Sequence, residues 1–309
     1  MNKKLIYPGS FIVITISIIF ILLILKTPST EITGNIYVSS LSLKNHSSFS
    51  FLNNVKCSYV ALENISKLSS NRMNRFNSDE SSFWISGSEI KIKDLFVEKA
   101  ASISFEKIKR QFHFISVGSL VNGKIHYKNS KIFYTTYSEQ YTHLISDPPE
   151  SIQFRSNPLK IDNQFRLNFI TDSLHIKGLF CTELRFIENN PPFSNYYKSS
   201  ILKGQLIINE TGKIINLNPG DSISFVMDNK ASIDIRGSQN SLFVTFKGTF
   251  SRFKLFSDVG NSNLKPSLLE FLSSNQTIEL IWGSIMYLFL LIWGIWKWIS
   301  KEKVQKKIL

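Results

Sequence analysis

Between about residue 30 and residue 265 the apolar side chains recur at nearly every second position, with Phe, Ile, Val and Tyr abundant and turn residues at intervals of roughly ten. A period of two puts successive side chains on opposite faces of a strand. The pattern predicts a mainly β ectodomain: an antiparallel sandwich, a barrel-like closure or a layered sheet, built as one or two β subdomains.

Opposed residues in an antiparallel hairpin keep a constant index sum, so registers follow from the apolar positions. A turn at Asn129-Ser130 pairs Tyr127 with Ile132 and Ile125 with Tyr134. A turn over residues 170–173 pairs Phe169 with Leu174 and Leu167 with Ile176. The loop Asp228-Asn229-Lys230 pairs Phe225 with Ile233 and Met227 with Ala231; the next turn pairs Ile235 with Leu242, Ile233 with Val244 and Ala231 with Phe246. Residues 222–247 therefore read as a three-strand meander with Ile233 and Ala231 facing one side.

Proline marks the interruptions, because it cannot donate to a ladder. Ser146-Asp147-Pro148-Pro149 through Pro158, and Asn189-Asn190-Pro191-Pro192 through Ser200, read as loops, the first a boundary between β regions near residue 150. Residues 60–80 are the least strand-like stretch and suggest a short helix and a loop. Pro266 through Leu272 reads as a short helix with proline in its first turn. Leu217-Asn218-Pro219-Gly220-Asp221 reads as a turn between strands.

The two ends break the alternation. Leu5 to Leu25 has no charge, and Lys3, Lys4 and Lys26 flank it. That is long enough to span a bilayer core of about 30 Å. Phe11 to Leu25 also fits the apolar region of a signal peptide, but Lys26-Thr27-Pro28 carries no small-x-small cleavage motif, which favours an uncleaved anchor. Ile278 to Ile299 is the second apolar segment, with Trp282 near one end and Trp296 and Trp298 near the other, where indole rings suit a water interface. Lys297 and Lys301 join these tryptophans as expected interface anchors. Lysines outside both segments put both termini in the cytoplasm and the middle of the chain beyond it.

The resulting organisation is a cytoplasmic tip and first membrane helix over 1–26, extracytoplasmic β regions over 27–150 and 151–272, a second membrane helix over 273–300, and a basic cytoplasmic tail over 301–309. Neither segment carries an ionisable group in its interior, so an ion or proton pathway is not expected. A bacterial inner membrane with a periplasmic or extracellular domain is the expected setting. The bias toward Ile, Lys, Asn, Ser and Phe points that way, and the N-x-S/T triplets at Asn45, Asn64, Asn209 and Asn275 are no more than composition generates by chance.

The net charge of +13 suggests a nucleic-acid partner until it is apportioned. Three lysines belong to the first end and a net +3 to residues 279–309, leaving +7 scattered along the middle. No nucleic-acid role is expected, while attraction to anionic headgroups or glycans stays open.

Reactive chemistry is sparse. His46, His113, His126, His143 and His175 show no metal-ligand spacing, and His126 is expected to face outward on its strand, opposite Phe133. Ser66-Lys67 and Ser130-Lys131 are adjacent pairs of common residues, and Asp79-Glu80 is the one close acidic pair. No nucleophile elbow or phosphate-cradling loop occurs, so no catalytic, cofactor-binding or metal residue is assigned. Cys57 and Cys181 either form a bridge worth about 4–5 kcal/mol through loop closure or stay as two buried thiols.

The leading expectation is a non-enzymatic two-pass membrane protein, with membrane lipids around it and an envelope or membrane protein as its partner. Its β domain would act as accessory or scaffold subunit of an envelope complex. A lipid- or glycan-binding carrier, and a sensor relaying to a separate membrane partner, are the alternatives.

Overall fold

The computed structural model describes residues 30–45, 48–70, 81–98, 101–136, 143–144, 150–156, 164–188, 198–237, 240–257 and 260–274, with residues 17, 20–21, 25, 29, 283–284, 286–294 and 297 from the two end segments. The fold is mainly β, in sandwich-like layers. The strands before residue 150 are β1 (Thr30–Val38), β2 (Ser40–Asn45), β3 (Phe49–Leu52), β4 (Val55–Ser69), β5 (Ser81–Val97), β6 (Ala101–Ile108), β7 (Gln111–Val117), β8 (Val121–Thr136) and β9 (His143–Leu144). Those after it are β10 (Ser151–Ser156), β11 (Gln164–Ile170), β12 (His175–Cys181), β13 (Glu183–Arg185), β14 (Ile201–Ile208), β15 (Lys213–Leu217), β16 (Ser222–Met227), β17 (Ala231–Gly237), β18 (Leu242–Ser257) and β19 (Gly260–Asn263). A short helix, α1 (Leu268–Ser274), follows.

Contacts divide the chain into two compact units. One comprises Met1–Thr30, Asn209–Lys213 and Lys265–Leu309; the other comprises Glu31–Ile208 and Ile214–Leu264. Within the larger unit the ladders run β8–β5–β4–β11–β7–β6–β2–β13–β16–β18, each of these pairs antiparallel. The first half of β18 pairs with β17, which pairs with β12, and β1 pairs with β14. β10 closes a ring. One of its edges bonds to β8 at residues 122–126 and the other to β4 at residues 65–69, while β5 joins β4 and β8 from their opposite edges.

Alternation along β1 (buried, partly exposed, buried, and so on) is the expected signature of a strand with one face in the core. The buried side chains form one cluster that takes residues from strands on both sides of residue 150. Phenylalanine fills it. Phe225 is 5.2 Å from Phe253 and stacked on it, 4.9 Å from Phe250 and 5.4 Å from Phe246 edge-on, with Phe186 at 6.2 Å. A second group joins Phe51, Phe105 and Phe114, with Phe165 and Phe154 extending it.

Several expected registers are corrected. The expected hairpin at Asn129-Ser130 does not exist: β8 runs straight through, and Tyr127 and Ile132 pair with Ile90 and Ile85 of β5. Asn129 adopts φ 51, which reverses the face of the strand without turning it back. Residues 167–176 do not form a hairpin either, because β11 pairs with β4 and β7 while β12 crosses to β17. In the expected meander β16 pairs with β18 rather than with β17. The β17–β18 hairpin is present but shifted by two residues, with Ile233 opposite Phe246 and Ile235 opposite Val244; a shift of two keeps the same face inward.

Residues 60–69 are strand, not helix, and Asn64 at φ 62 sits where the β4 register slips. Residues 71–80, with Asp79-Glu80, lie outside the described residues. The turn at Asn218–Asp221 is as expected: Gly220 takes φ 94, and the Asn218 N–H donates to the Asp221 carboxylate at 2.8 Å. The expected helix near residue 266 is α1. Its start is a capping box, in which the Glu270 N–H donates to Ser267 Oγ (3.1 Å) and the Ser267 N–H donates to Glu270 Oε2 (2.7 Å). Proline precedes the cap rather than occupying the first turn.

Most of the first apolar end, residues 5–25, lies outside the described residues. Among the described residues no helix is long and apolar enough to cross a membrane, so the two membrane helices expected from the sequence are not seen there.

Phe225→Ala would remove the ring that four other phenylalanines contact. We expect a loss of about 3–5 kcal/mol, read as a lower denaturant midpoint for the β signal of the purified chain.

Candidate basic site on the strand ring

The ring of β4, β5, β8 and β10 carries its aliphatic residues inward, so the intervening positions face out. Ile90, Ile92, Ile125, Ile152 and Leu68 are buried, and the residues beside them are polar, most of them charged. Cross-strand partners share a face, which makes the ladders a map of that surface. Lys56 stands opposite Lys91, and Lys91 opposite His126. Lys93 stands opposite Lys124, which stands opposite Gln153. Arg155 stands between Asn122 and Lys67.

Six cationic side chains therefore occupy one contiguous face. Three pairs of them, Lys56–Lys91, Lys93–Lys124 and Arg155–Lys67, are directly opposed like charges, an arrangement that destabilises a sheet. Among the described residues none of the six forms an ion pair with a carboxylate. By contrast, Arg166 and Lys247 elsewhere on the sheets each meet a glutamate, Glu63 at 3.7 Å and Glu31 at 3.1 Å. Two carboxylates of the described residues stand beside the cluster: Asp94, at φ 52, next to Lys93, and Glu89, two positions from Lys91 on the same strand and opposite Lys128.

A cavity of about 390 Å³ opens on this face, lined by Lys67, Lys124 and Arg155 with Asp94 opposite in charge and Asn122, Ser69 and Gln153 as neutral polar groups. Its floor is set by a close approach. A Cβ at Gly123 would stand 2.4 Å from the Phe154 ring, so glycine lets that ring cross β8 and pack toward Phe165.

His126 reports on the local potential. Its pKa is lowered, first by desolvation and then by Lys93 and Lys124, with Lys91 adding and Asp94 opposing. The side chain faces outward as expected, but its partners are Lys91 and Ser151 rather than Phe133.

A second polar row crosses β6, β7 and β11, where Glu106 faces His113 and His113 faces Asn168 at a ring-nitrogen to amide-oxygen distance of 2.8 Å. Burial raises the Glu106 pKa, Glu188 adds to that, and His113 opposes it. Lys107 is buried beside this row with its ammonium 3.4 Å above the Phe112 ring, and desolvation lowers its pKa.

Of the residues singled out in sequence, Cys57 and Cys181 are free and buried in β4 and β12. The bridge is thus replaced by the alternative of two thiols. Cys181 Sγ contacts Met227 Sδ at 3.9 Å, Cys57 Sγ approaches the Val55 carbonyl at 3.7 Å, and burial pushes both pKa values up to about 12. Trp282, Trp296, Trp298 and Lys301 lie outside the described residues, while Lys297 is helical and exposed. Sequence reasoning treated the positive charges of the middle region as scattered. Lys91 and Lys93, two apart on one strand, were the local sign of a shared face, but Lys67, Lys124 and Arg155 reach it only through strand pairing.

Two measurements test this geometry. At pH 8 a maleimide is expected to label neither thiol of the folded chain and both after denaturation without reductant, because a thiol with a pKa near 12 is almost wholly protonated. In an NMR titration His126 is expected below 6.5, and replacing Lys93 and Lys124 by methionine raises it. The unfolded chain binds this proton more readily than the folded one, so stability falls as acid takes the pH down through 6.5.

No family model matches the chain, and neither a curated protein nor a solved structure matches it.

Proposed function

We propose that the chain is a non-enzymatic membrane protein whose β domain is the accessory or scaffold part of an envelope complex, held at the membrane from both ends. The observation that carries this reading is the helical stretch at residues 286–294. Met286, Tyr287, Leu288, Leu290 and Ile292 are between 55% and 67% exposed. At about 100° per residue these positions point to every side of the helix. A helix apolar all round has no aqueous face, and a hydrocarbon solvent satisfies it.

Two further features support it. Phe20, Ile21 and Leu25 of the first apolar segment are likewise at least half exposed. Within the smaller unit the Leu268 N–H donates to the Leu25 carbonyl at 2.7 Å, so the end of that segment lies beside the start of α1. Two apolar segments entering one membrane patch would need this proximity. The sequence of 278–299 supplies the length, at about 1.5 Å per residue.

The carrier reading has one observation in its favour. A cavity of about 600 Å³ lies where β13 and β16 part after the single pair Arg185–Ser224, with Leu184, Ile223 and Phe225 as apolar wall and Lys44 and Arg185 at its margin. An amphiphile would suit that apolar wall, but Glu183, also in the lining, is ion-paired with Arg185, so the margin does not select an acidic head.

Leu290→Arg puts a charge near the centre of the segment, where it costs about 2.5–3.5 kcal/mol of insertion. The variant is expected to shift from the carbonate-resistant membrane fraction toward the soluble or aggregated fractions. Wild-type chain purified in mild detergent is expected to bring a stoichiometric membrane protein with it. A partner-free monomer overturns the scaffold reading, and co-purified lipid without protein moves the assignment to the carrier.

A further inference from the structure

We infer that the basic face of the β4–β5–β8–β10 ring is a binding site for a ligand carrying phosphoryl groups, with the cavity between Lys67, Lys124 and Arg155 taking one of them. Three observations converge on it. Like charges stand directly opposed three times on one face, and a folded sheet keeps such pairs only against their own repulsion. Among the described residues none of these six cations is neutralised by an ion pair, although ion pairs form elsewhere on the sheets. A cavity of about 390 Å³ sits at their junction, which an extended surface of scattered lysines would not provide.

The chemistry of the lining selects the ligand class. Arg155 offers a planar fork matched to two oxygens of one phosphoryl group, and Lys67 and Lys124 add point charges from either side. Asn122, Ser69 and Gln153 supply neutral polar groups for the remaining oxygens. A phosphate monoester carries about −1.5 to −2 at pH 7, enough to offset up to two cations at once, whereas a single carboxylate offsets one. Lys56, Lys91 and Lys93 continue the positive face beyond the cavity. Cation-bearing positions stand about 4.8 Å apart across strands and about 6.7 Å apart along one. A ligand with two or more phosphoryl groups therefore fits better than inorganic phosphate. Asp94 at the rim disfavours an anion that would cover the whole cavity evenly, and it orients the ligand away from itself.

Phosphoryl groups reach such a site on a lipid headgroup or on a soluble compound, and the test separates the two. Full-length chain in non-ionic detergent is titrated calorimetrically with pyrophosphate, and in parallel with phosphatidic acid in mixed micelles. Inorganic phosphate, polyglutamate and a thymidine oligonucleotide serve as comparisons. We expect binding in at least one phosphoryl arm, tighter than for inorganic phosphate and accompanied by an upward move of the His126 titration as the anion offsets Lys93 and Lys124. Pyrophosphate alone assigns a soluble ligand, micelles alone assign a headgroup, and both together assign the phosphoryl group itself.

Arg155→Gln is expected to weaken binding about tenfold, and Arg155→Lys less, since charge survives while the fork is lost. Lys230→Gln, in the β16–β17 turn, is the control and is expected to change nothing. Because Arg155 is an exposed residue, both Arg155 variants should fold. Absence of binding in both phosphoryl arms overturns the inference, as does an equal loss in Lys230→Gln, or oligonucleotide or polyglutamate binding tighter than either phosphoryl ligand.

Discussion

The fold depends on the long ladder between β5 and β8, and on the fact that it changes face halfway along. Phe83 and Ile85 are buried at one end and Ile90 and Ile92 at the other, an odd step that strict alternation forbids. The partner makes the same odd step from Tyr127 to Ile132. Both strands reverse together around Gly87 and Asn129, so the pairing sum stays constant while the inward side swaps. Gly87 lies against Ser130, where a Cβ would be 2.9 Å from the Ser130 Cα. The reversal lets one pair of strands serve two parts of the core and still meet β10, which closes the ring.

That reversal also explains where sequence reasoning succeeded and where it failed. An odd spacing of apolar residues across Asn-Ser is what a tight hairpin produces, and a face-reversing kink inside a continuous strand produces the same spacing. The two differ only in which strand lies alongside, and that partner is some forty residues earlier in the chain. Residues 60–69 misled in a related way. Val60, Leu62, Ile65 and Leu68 are spaced two, three and three apart, which looks helical, but the bulge at Asn64 supplies the extra residue. Local punctuation was legible: the Pro-Gly turn, the short helix after Pro266 and, to within two residues of register, the β17–β18 hairpin each depend on a few consecutive residues. Non-local pairing was not, because every strand shares the same apolar alphabet.

The basic face follows the same division. Lys91 and Lys93 could be placed together from strand periodicity alone, whereas Lys67 of β4 and Arg155 of β10 become neighbours through a ring closure that no local pattern encodes. Counting charge by segment gave a sound total and a wrong distribution. The aliphatic residues explain why the face is stable at all. Each cation has a buried residue next to it on its strand (Cys57, Leu68, Ile90, Ile92, Ile125 or Phe154), so the side-chain stems lie over an apolar layer while the charged groups reach water.

An exposed lysine is ordinary, and three directly opposed cationic pairs within one four-strand ring are not, because each repels its partner across a ladder that the fold cannot open without losing its closure. The His126 pKa is depressed first by desolvation and then by Lys93 and Lys124, so part of that repulsion falls on a neutral group beside them. An anion that settled there would stabilise the folded chain in proportion to its concentration over its dissociation constant, so ligand and fold are linked thermodynamically. Relief would be greatest in dilute salt and would shrink as the Debye length falls below the spacing of the cations, from about 10 Å at 0.1 M toward about 3 Å at 1 M.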